Sequence, residues 1–485
     1  MKLLYEIVRK LKPQELRQLR HTFKHASFEH EKVGKLFDLV TQYEEREEAF
    51  YSQQLYQKAP DNTFRVTKSR LKRMMENVLL SDKSLSSYRA KLINTRLQTR
   101  KKLLQGEILL GRGAYQAGRN LLQQVIATAK KYDLYEESFQ AEMLLYRNLN
   151  IRLGVKDYQK LTDRLLDTNQ LIAGINETRI RYYSISNRLL NQTLPPEEKQ
   201  EVRQTIDRLQ ELAQGVNHPQ IQHFYYLSEI YYRQIDNRDA EAIDFCHRYL
   251  ALIQAHESLH TPQREAAIYV QLAQAHLRLR QLAQAQTFSE QALAMFSPEE
   301  INYLRTAQLC FAVAFYAHDH AACQRYLDLA MPHPEFDTAP TIAAQWQYFH
   351  ACLLFRRGDF QSAYLKLNDT TPLLADKHGQ NLRIRLLEIM LLYELDHPDL
   401  METKILNLRQ FIKRTQADEE PLRPTLLLRI LMHWYKHHYD FARTLTALPE
   451  VFGQLQALAG EHRMAGRELF ELLPLEQWMV EQAPT

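Results

Sequence analysis

Three sets of residues in this chain have types and spacings that could do chemistry, and each is incomplete. Gly113-Ala114-Tyr115-Gln116-Ala117-Gly118-Arg119-Asn120 has the two glycines of a phosphate-binding loop. Such a loop needs Lys and then Ser/Thr directly after the second glycine, to reach phosphate and Mg²⁺. Arg119 and Asn120 stand there instead. His21/His25 and His433/His437 are i, i+4 pairs that would share a helix face. Zinc needs a third protein ligand and a hydrogen-bonded group that orients each ring. His438, Asp440 and Glu29 are the nearest third ligands by sequence alone. Cys246, Cys310, Cys323 and Cys352 are scattered, with no CxxC pair. They read as small buried apolar residues, and no histidine is identifiable as the partner a thiol nucleophile needs. There is no G-x-S-x-G elbow, and no H-E-x-x-H helix is expected. The chain therefore reads as a non-enzyme, with no catalytic residue, no metal and no cofactor.

The elements that carry these residues follow from composition. Of 485 residues, 75 are Leu, 13 are Val and 13 are Gly. Leu favours helix and Val favours strand, and so few glycines leave little room for a barrel or a doubly wound sheet. The expected fold is all-α. No run of about 18 apolar residues occurs, and charge interrupts the N-terminus at Lys2 and Glu6, which argues against a membrane partner and for the cytoplasm. Net charge is only +4, but it is divided. Residues 1–130 hold 26 Lys/Arg against 13 Asp/Glu, whereas the remainder holds 36 against 45. That split predicts two parts: a basic helical module over 1–90 and a helical array over 91–475.

Within the first part, residues 2–10 read as a helix, and Pro13 opens a second that runs to about Ala26. Val33, Leu36, Phe37 and Val40 fall on one helical face. Ala59-Pro60-Asp61-Asn62 is a turn. Thr67 is the expected N-cap of the next helix, which buries Leu71, Met74, Met75 and Val78. From Ser84 to Gly111 the pattern stays helical and basic. The last residues, Met479 to Thr485, are expected to fray.

From about residue 100 the chain repeats itself. Tyr269, Leu272, Ala273 and His276 form one helical stripe, Leu282, Ala285 and Ala292 the next, and Pro298 closes the unit. Ala351 and Leu354, the turn Gly358-Asp359-Phe360 and Ala363 repeat the frame. So do Cys310, Phe311 and Ala314 with the turn His318-Asp319-His320, then Cys323 and Ala330. Leu227, Ser228, Tyr231, Ala242 and Tyr249 fit with two extra residues in the turn. Gly106, Leu109, Gly113, Tyr115, Gly118 and Val125 make an early copy. Ala242, Ala285, Cys323 and Ala363 are 43, 38 and 40 residues apart. This pattern resembles the tetratricopeptide (TPR) repeat, at a period longer than its usual ~34, as in divergent arrays of bacterial signalling proteins. The resemblance implies a right-handed α-solenoid of TPR-like helix pairs behind an N-terminal helical domain.

The resemblance also implies a groove lined by the first helix of each pair. Carried over by position, its lining is Tyr225, Glu229, Tyr232, Arg233, Gln274, Arg278, Arg305, Gln308, Tyr316, Tyr348, Phe355 and Arg356, with Arg233, Arg278 and Arg356 as a ladder. Arginine forks pair bidentately with carboxylates and tyrosines offer flat contact area. Such a groove suits a protein partner or an extended peptide, acidic or ending in a free C-terminus. The function expected is that of an adaptor or scaffold, with a homo-oligomer allowed by an incomplete terminal cap. The alternative lies in residues 60–102. Arg65-Val66-Thr67-Lys68-Ser69-Arg70-Leu71-Lys72-Arg73 resembles the recognition helix of a response-regulator winged helix. That resemblance implies nucleic-acid contacts by Lys68, Arg70, Lys72 and Arg73 and a peptide-responsive transcription regulator.

Overall fold

In a computed structural model the structure describes residues 1–24, 28–81, 91–148, 155–190, 195–333, 340–368, 380–415, 422–462 and 471–483. Those residues form helices and connections with no strand among them, so the protein is all-α. Its backbone divides into two compact units, Met1–Ala173 and Gly174–Thr485. The expected division at 90/91 adjoins residues 82–90, which lie outside the described set, as does His25.

The first unit contains α1 (Lys2–Lys10), α2 (Pro13–Lys24), α3 (Phe28–Gln42), α4 (Glu48–Tyr56), α5 (Asn62–Leu79), α6 (Lys91–Gly111), α7 (Tyr115–Lys131) and α8 (Tyr135–Arg147). Two separate cores hold it. One joins α1 to α5 through Leu4, Tyr5, Val33, Leu36, Phe37, Val40, Phe64, Leu71 and Met75. The other joins α6 to α8 through Leu103, Leu110, Leu122, Val125 and Ala141. The α5 helix begins five residues earlier than Thr67. The Asp61 carboxylate accepts from the Phe64 amide at 3.0 Å and caps it, while Thr67 is buried inside the helix. The crossing of α6 and α7 is close because it is built on glycines. A Cβ on Gly106 would lie 2.8 Å from Leu122 Cδ2, and one on Gly118 would lie 2.9 Å from Leu110 Cδ2. Gly118→Val is therefore expected to destabilise the protein by about 1–3 kcal/mol through overpacking, read as a lower denaturant midpoint at unchanged slope.

The helix α9 (Val155–Leu190) runs 36 residues without a break, so this stretch is not a pair of regular repeats. From Gly174 on, the second unit adds α10 (Pro196–Gly215), α11 (Pro219–Ile235), α12 (Asp239–Ala255), α13 (Pro262–Arg278), α14 (Leu282–Met295), α15 (Ile301–Tyr316) and α16 (His320–Ala330). It continues with α17 (Pro340–Arg356), α18 (Phe360–Asn368), α19 (Gln380–Glu394), α20 (Pro398–Thr415), α21 (Leu422–Lys436), α22 (Phe441–Ala447), α23 (Pro449–His462) and α24 (Leu475–Gln482). From α10 to α23 each helix packs on its sequence neighbour, alternate helices α13/α15 and α17/α19 also touch, and α24 packs on α19 and α22. This is the helix-pair stacking of an α-solenoid. Ala273, Ala285, Cys323, Ala351 and Ala363, small at the pair contacts, are almost completely buried. The cysteines share that environment, and burial pushes the Cys310 and Cys323 thiols up to about 12, which keeps them protonated.

One turn recurs in every pair from α11 to α20. Three residues link the helices, and the middle one is left-handed: Asn237 (φ 56°), Arg280 (59°), His318 (58°), Gly358 (76°) and Asp396 (56°). The next residue then closes the same backbone bond each time, Arg238 N to Arg233 O (2.8 Å), Gln281 to His276 (2.9 Å), Asp319 to Ala314 (2.9 Å), Asp359 to Leu354 (3.0 Å) and His397 to Leu392 (3.0 Å). This is the Schellman closure of a helix end. Only Gly358 has the residue type that adopts this conformation at no steric cost. His318→Gly is therefore expected to stabilise the array by about 0.5–1 kcal/mol, measured as a raised denaturant midpoint. Arg280→Gly should gain less, because it also removes the Arg280 guanidinium from its place 4.8 Å over the Tyr316 ring.

Candidate functional site

The turns give a register that the sequence hid. The copy at Leu227–Tyr249 has no extra residues in its turn, since Asp236–Arg238 is three residues like the others. Counting back two places from each left-handed residue gives Ile235, Arg278, Tyr316, Arg356 and Glu394. Arg233 lies two residues further back, in the place of His276, Ala314 and Leu354, so it is not a rung of the expected ladder. The shift follows from the missing glycine: Asn237, Arg280 and His318 do not announce the turn in the sequence. The same correction moves Tyr225, Glu229 and Tyr232 off their expected positions.

Arg233 is nevertheless part of a dense network. Glu229 is buried between Arg203 (3.0 Å) and Arg233 (3.0 Å), and Arg233 also reaches Glu241 at 2.9 Å. Arg203 stacks over buried Tyr232 at 5.4 Å, and half-buried Tyr225 packs edge-on to Phe245. On α13, Gln271, Gln274 and Arg278 share one face at i, i+3 and i+7. Arg278 Nε donates to Asp239 Oδ1 at 2.6 Å, and both side chains are largely buried. Burial raises the Asp239 carboxyl although Arg278 acts the other way. Gln271 Oε1 and Arg278 Nη2 are buried atoms with no protein partner.

Further along, two expected groove residues belong to the core. Tyr348 is 2% exposed, and Gln308 is buried with its amide donating to Gln345 at 2.8 Å. Tyr348 has no surface left for a ligand, and the Gln308 amide is already committed to Gln345. Tyr316 and Arg356 do face other chain: they touch the C-terminal segment Glu471–Gln482. The Tyr316 hydroxyl donates to the Glu471 carbonyl at 3.0 Å, and Arg356 lies 3.9 Å from Glu481. Glu394, the next rung, accepts from the Trp478 indole and from Gln482, both at 2.9 Å. Arg423 at the start of α21 holds Glu471 (2.6 Å) and Glu476 (3.1 Å). The Trp478 ring sits against Tyr393, Trp434 and Phe441, with centroids 5.5, 5.9 and 5.5 Å away. Leu472, Leu475 and Met479 are fully buried, so the expected fraying at Met479 does not occur. Sequence reasoning missed this segment, although Leu472-Leu473-Pro474-Leu475 and Trp478-Met479 form an apolar cluster at the end of the chain.

Among the described residues the other candidate chemistry is not assembled. Gly113 (φ 79°) makes the α6–α7 turn, with a helix and not a strand before it. The His433 and His437 rings lie 4.2 Å apart and tilted by 44°, but the Asp440 carboxylate caps α22 by accepting from Arg443 N at 2.9 Å. The string His256-Glu257-Ser258-Leu259-His260 spells H-E-x-x-H. It falls in the connection between α12 and α13, so its histidines share no helix face, and His260 pairs with Glu265 at 3.0 Å. Among the described residues no group of three metal-ligating side chains converges, and no helix is long and apolar enough to cross a membrane. On α5, Lys68 pairs with Glu48, Lys72 lies 3.5 Å from Glu76, and Arg73 is exposed. No strand stands among the described residues of 28–81, and α6 follows at Lys91, so the wing implied by the winged-helix resemblance is not seen there.

Fold and site together define an α-solenoid of TPR-like helix pairs. No family model and no curated protein matches the chain. Nine chains of known structure do match. One is the crystal structure of a signal transduction ATPase with numerous domains (STAND) protein with a tetratricopeptide repeat sensor from Pyrococcus horikoshii. It is 11% identical at a TM-score of 0.42, covering 88% of this chain and 74% of that one. A likeness at this level does not speak to what the chain binds.

Proposed function

We propose that this protein is a non-catalytic adaptor whose helix-pair array binds an extended segment of a partner protein. The observation that carries this reading is the face of α13. Gln271 Oε1 and Arg278 Nη2 are buried there without a protein partner. An unpaired acceptor and an unpaired cationic donor on one helical face are costly to the fold alone, and a peptide main chain supplies the matching N–H and C=O groups. Half-buried Gln274 lies between them on that face. The chemistry is hydrogen bonding, with no bond made or broken.

Selection of a random peptide library on the full chain tests this. Enriched peptides are expected to bind at micromolar affinity. They should lose about tenfold, the value of roughly one charged hydrogen bond, on Arg278→Lys, which keeps a cation beside Asp239 but removes the spare guanidinium N–H groups. Gln274→Ala should act in the same direction. A selection that enriches nothing, or peptides indifferent to both changes, would sink the reading.

A further inference from the structure

The segment Glu471–Gln482 does not simply cap the last helix pair. It reaches Tyr316 on α15, Arg356 on α17, Glu394 on α19 and Arg423 on α21. Three of these four helices meet it through the same repeat position, two residues before the left-handed turn. The contacts are also of the kinds that read a ligand. A tyrosine hydroxyl takes a main-chain carbonyl, one guanidinium takes two carboxylates, and an aromatic slot closed by a carboxylate takes an indole with its N–H. Leu472, Leu473, Leu475 and Met479 lie beneath, while Gln477 and Val480 face outward. Ordering a dozen residues costs conformational entropy that offsets much of the gain from burying them. The docked charge is unbalanced as well, since two carboxylates share the Arg423 Nη2 atom. Burial and the neighbouring Glu471 together hold the Glu476 carboxyl above its ordinary range despite Arg423.

We infer that Glu471–Gln482 is a built-in occupant of a peptide-binding face, and that the partner is a protein segment of the same chemistry which displaces it. That chemistry is a carboxylate, then Leu-Leu-Pro-Leu, a second carboxylate five residues after the first, and a Trp two residues beyond. The inference rests on the peptide-binding reading above and deepens it by naming the motif and the regulation. The face is closed from Tyr316 to Arg423 until the chain's own segment leaves, whereas the Gln271–Arg278 face lies outside the contacts this segment makes.

The test uses full-length chains and a fluorescein-labelled synthetic peptide of sequence ELLPLEQWMVEQ, followed by anisotropy. The intact chain should bind it weakly. A full-length Leu475→Ala/Trp478→Ala variant, whose own segment is weakened while its face is untouched, should bind at least 30-fold more tightly, and a peptide lacking the Trp should not compete. If the folded variant binds no better than the intact chain, the segment is a fixed part of the array and the inference fails. Library peptides could then still bind at Gln274 and Arg278, so the two failures are told apart. If the variant is not folded, hydrogen exchange on the intact chain decides. Residues 471–482 should exchange at least tenfold faster than the core of α19, with little denaturant dependence. Exchange only by global unfolding overturns the inference. A dimer of the intact chain formed by trading segments would overturn the partner in favour of a second copy.

Discussion

Arg423→Met is expected to cost about 3–5 kcal/mol at neutral pH, because it leaves Glu471 and Glu476 buried without their cation. The loss should appear as a lower unfolding midpoint together with release of Trp478 from its slot, seen in the fluorescence of a chain with three tryptophans. The sign of its pH dependence follows from Glu476, whose carboxyl sits above its ordinary value in the folded protein. A carboxyl raised on folding carries a penalty above its folded value, and the penalty fades as pH falls through it. The groups facing it are Arg423 and Glu471. Without Arg423 the Glu476 carboxyl should rise further. The difference between variant and parent should therefore be largest near pH 7.5 and shrink toward pH 5. A difference that is flat across this range would refute the account, and Glu471→Gln/Glu476→Gln in the Arg423→Met background should restore most of the stability.

Arg278→Met is expected to cost a similar 3–5 kcal/mol, for a related reason in a different place. Asp239 at the start of α12 is 6% exposed, and its carboxylate takes the Arg278 Nε at 2.6 Å from the end of α13. The pair ties one helix pair to the next. With Arg278 gone, Asp239 would be a buried carboxylate with only the α12 N-terminus to stabilise it, and that term is of order 1 kcal/mol. Burial already raises the Asp239 carboxyl, so the variant too should recover as pH falls. Asp239→Asn in the same chain should bring the loss to about 1–1.5 kcal/mol. The check is a double-mutant cycle by urea denaturation. Single losses that simply add would mean the contact is not formed.

The all-helical architecture was legible in the sequence because composition and 3.6-residue periodicity both depend on local chemistry. Val33, Leu36, Phe37 and Val40 are buried as their spacing requires, and Ala242, Ala285, Cys323 and Ala363 do sit at equivalent pair contacts. The site was legible only where the register held. Gln274, Arg278, Tyr316 and Arg356 follow from a turn that Gly358 marks, whereas Arg233 was misplaced because Asn237 holds the left-handed conformation without a glycine. Helix caps failed locally in the same way, with Asp61 and not Thr67 capping α5. Tyr348 and Gln308 were misread because position within a repeat does not say whether the next helix covers it. The Trp478 slot was out of reach, since it joins residues 84 apart to Glu394 and Glu471 lies 155 residues from Tyr316.

The recurring turn also bears on how such a chain can change length. The left-handed residues are 43, 38, 40 and 38 apart, yet the three-residue link and its backbone closure are the same each time. The variation is absorbed in the helices and in the connections from one pair to the next. A stretch bounded by two of these turns, such as 319–358, is thus a cassette whose ends already match. Its in-frame duplication would add one rung to the face, between Tyr316 and Glu394, with both closures intact.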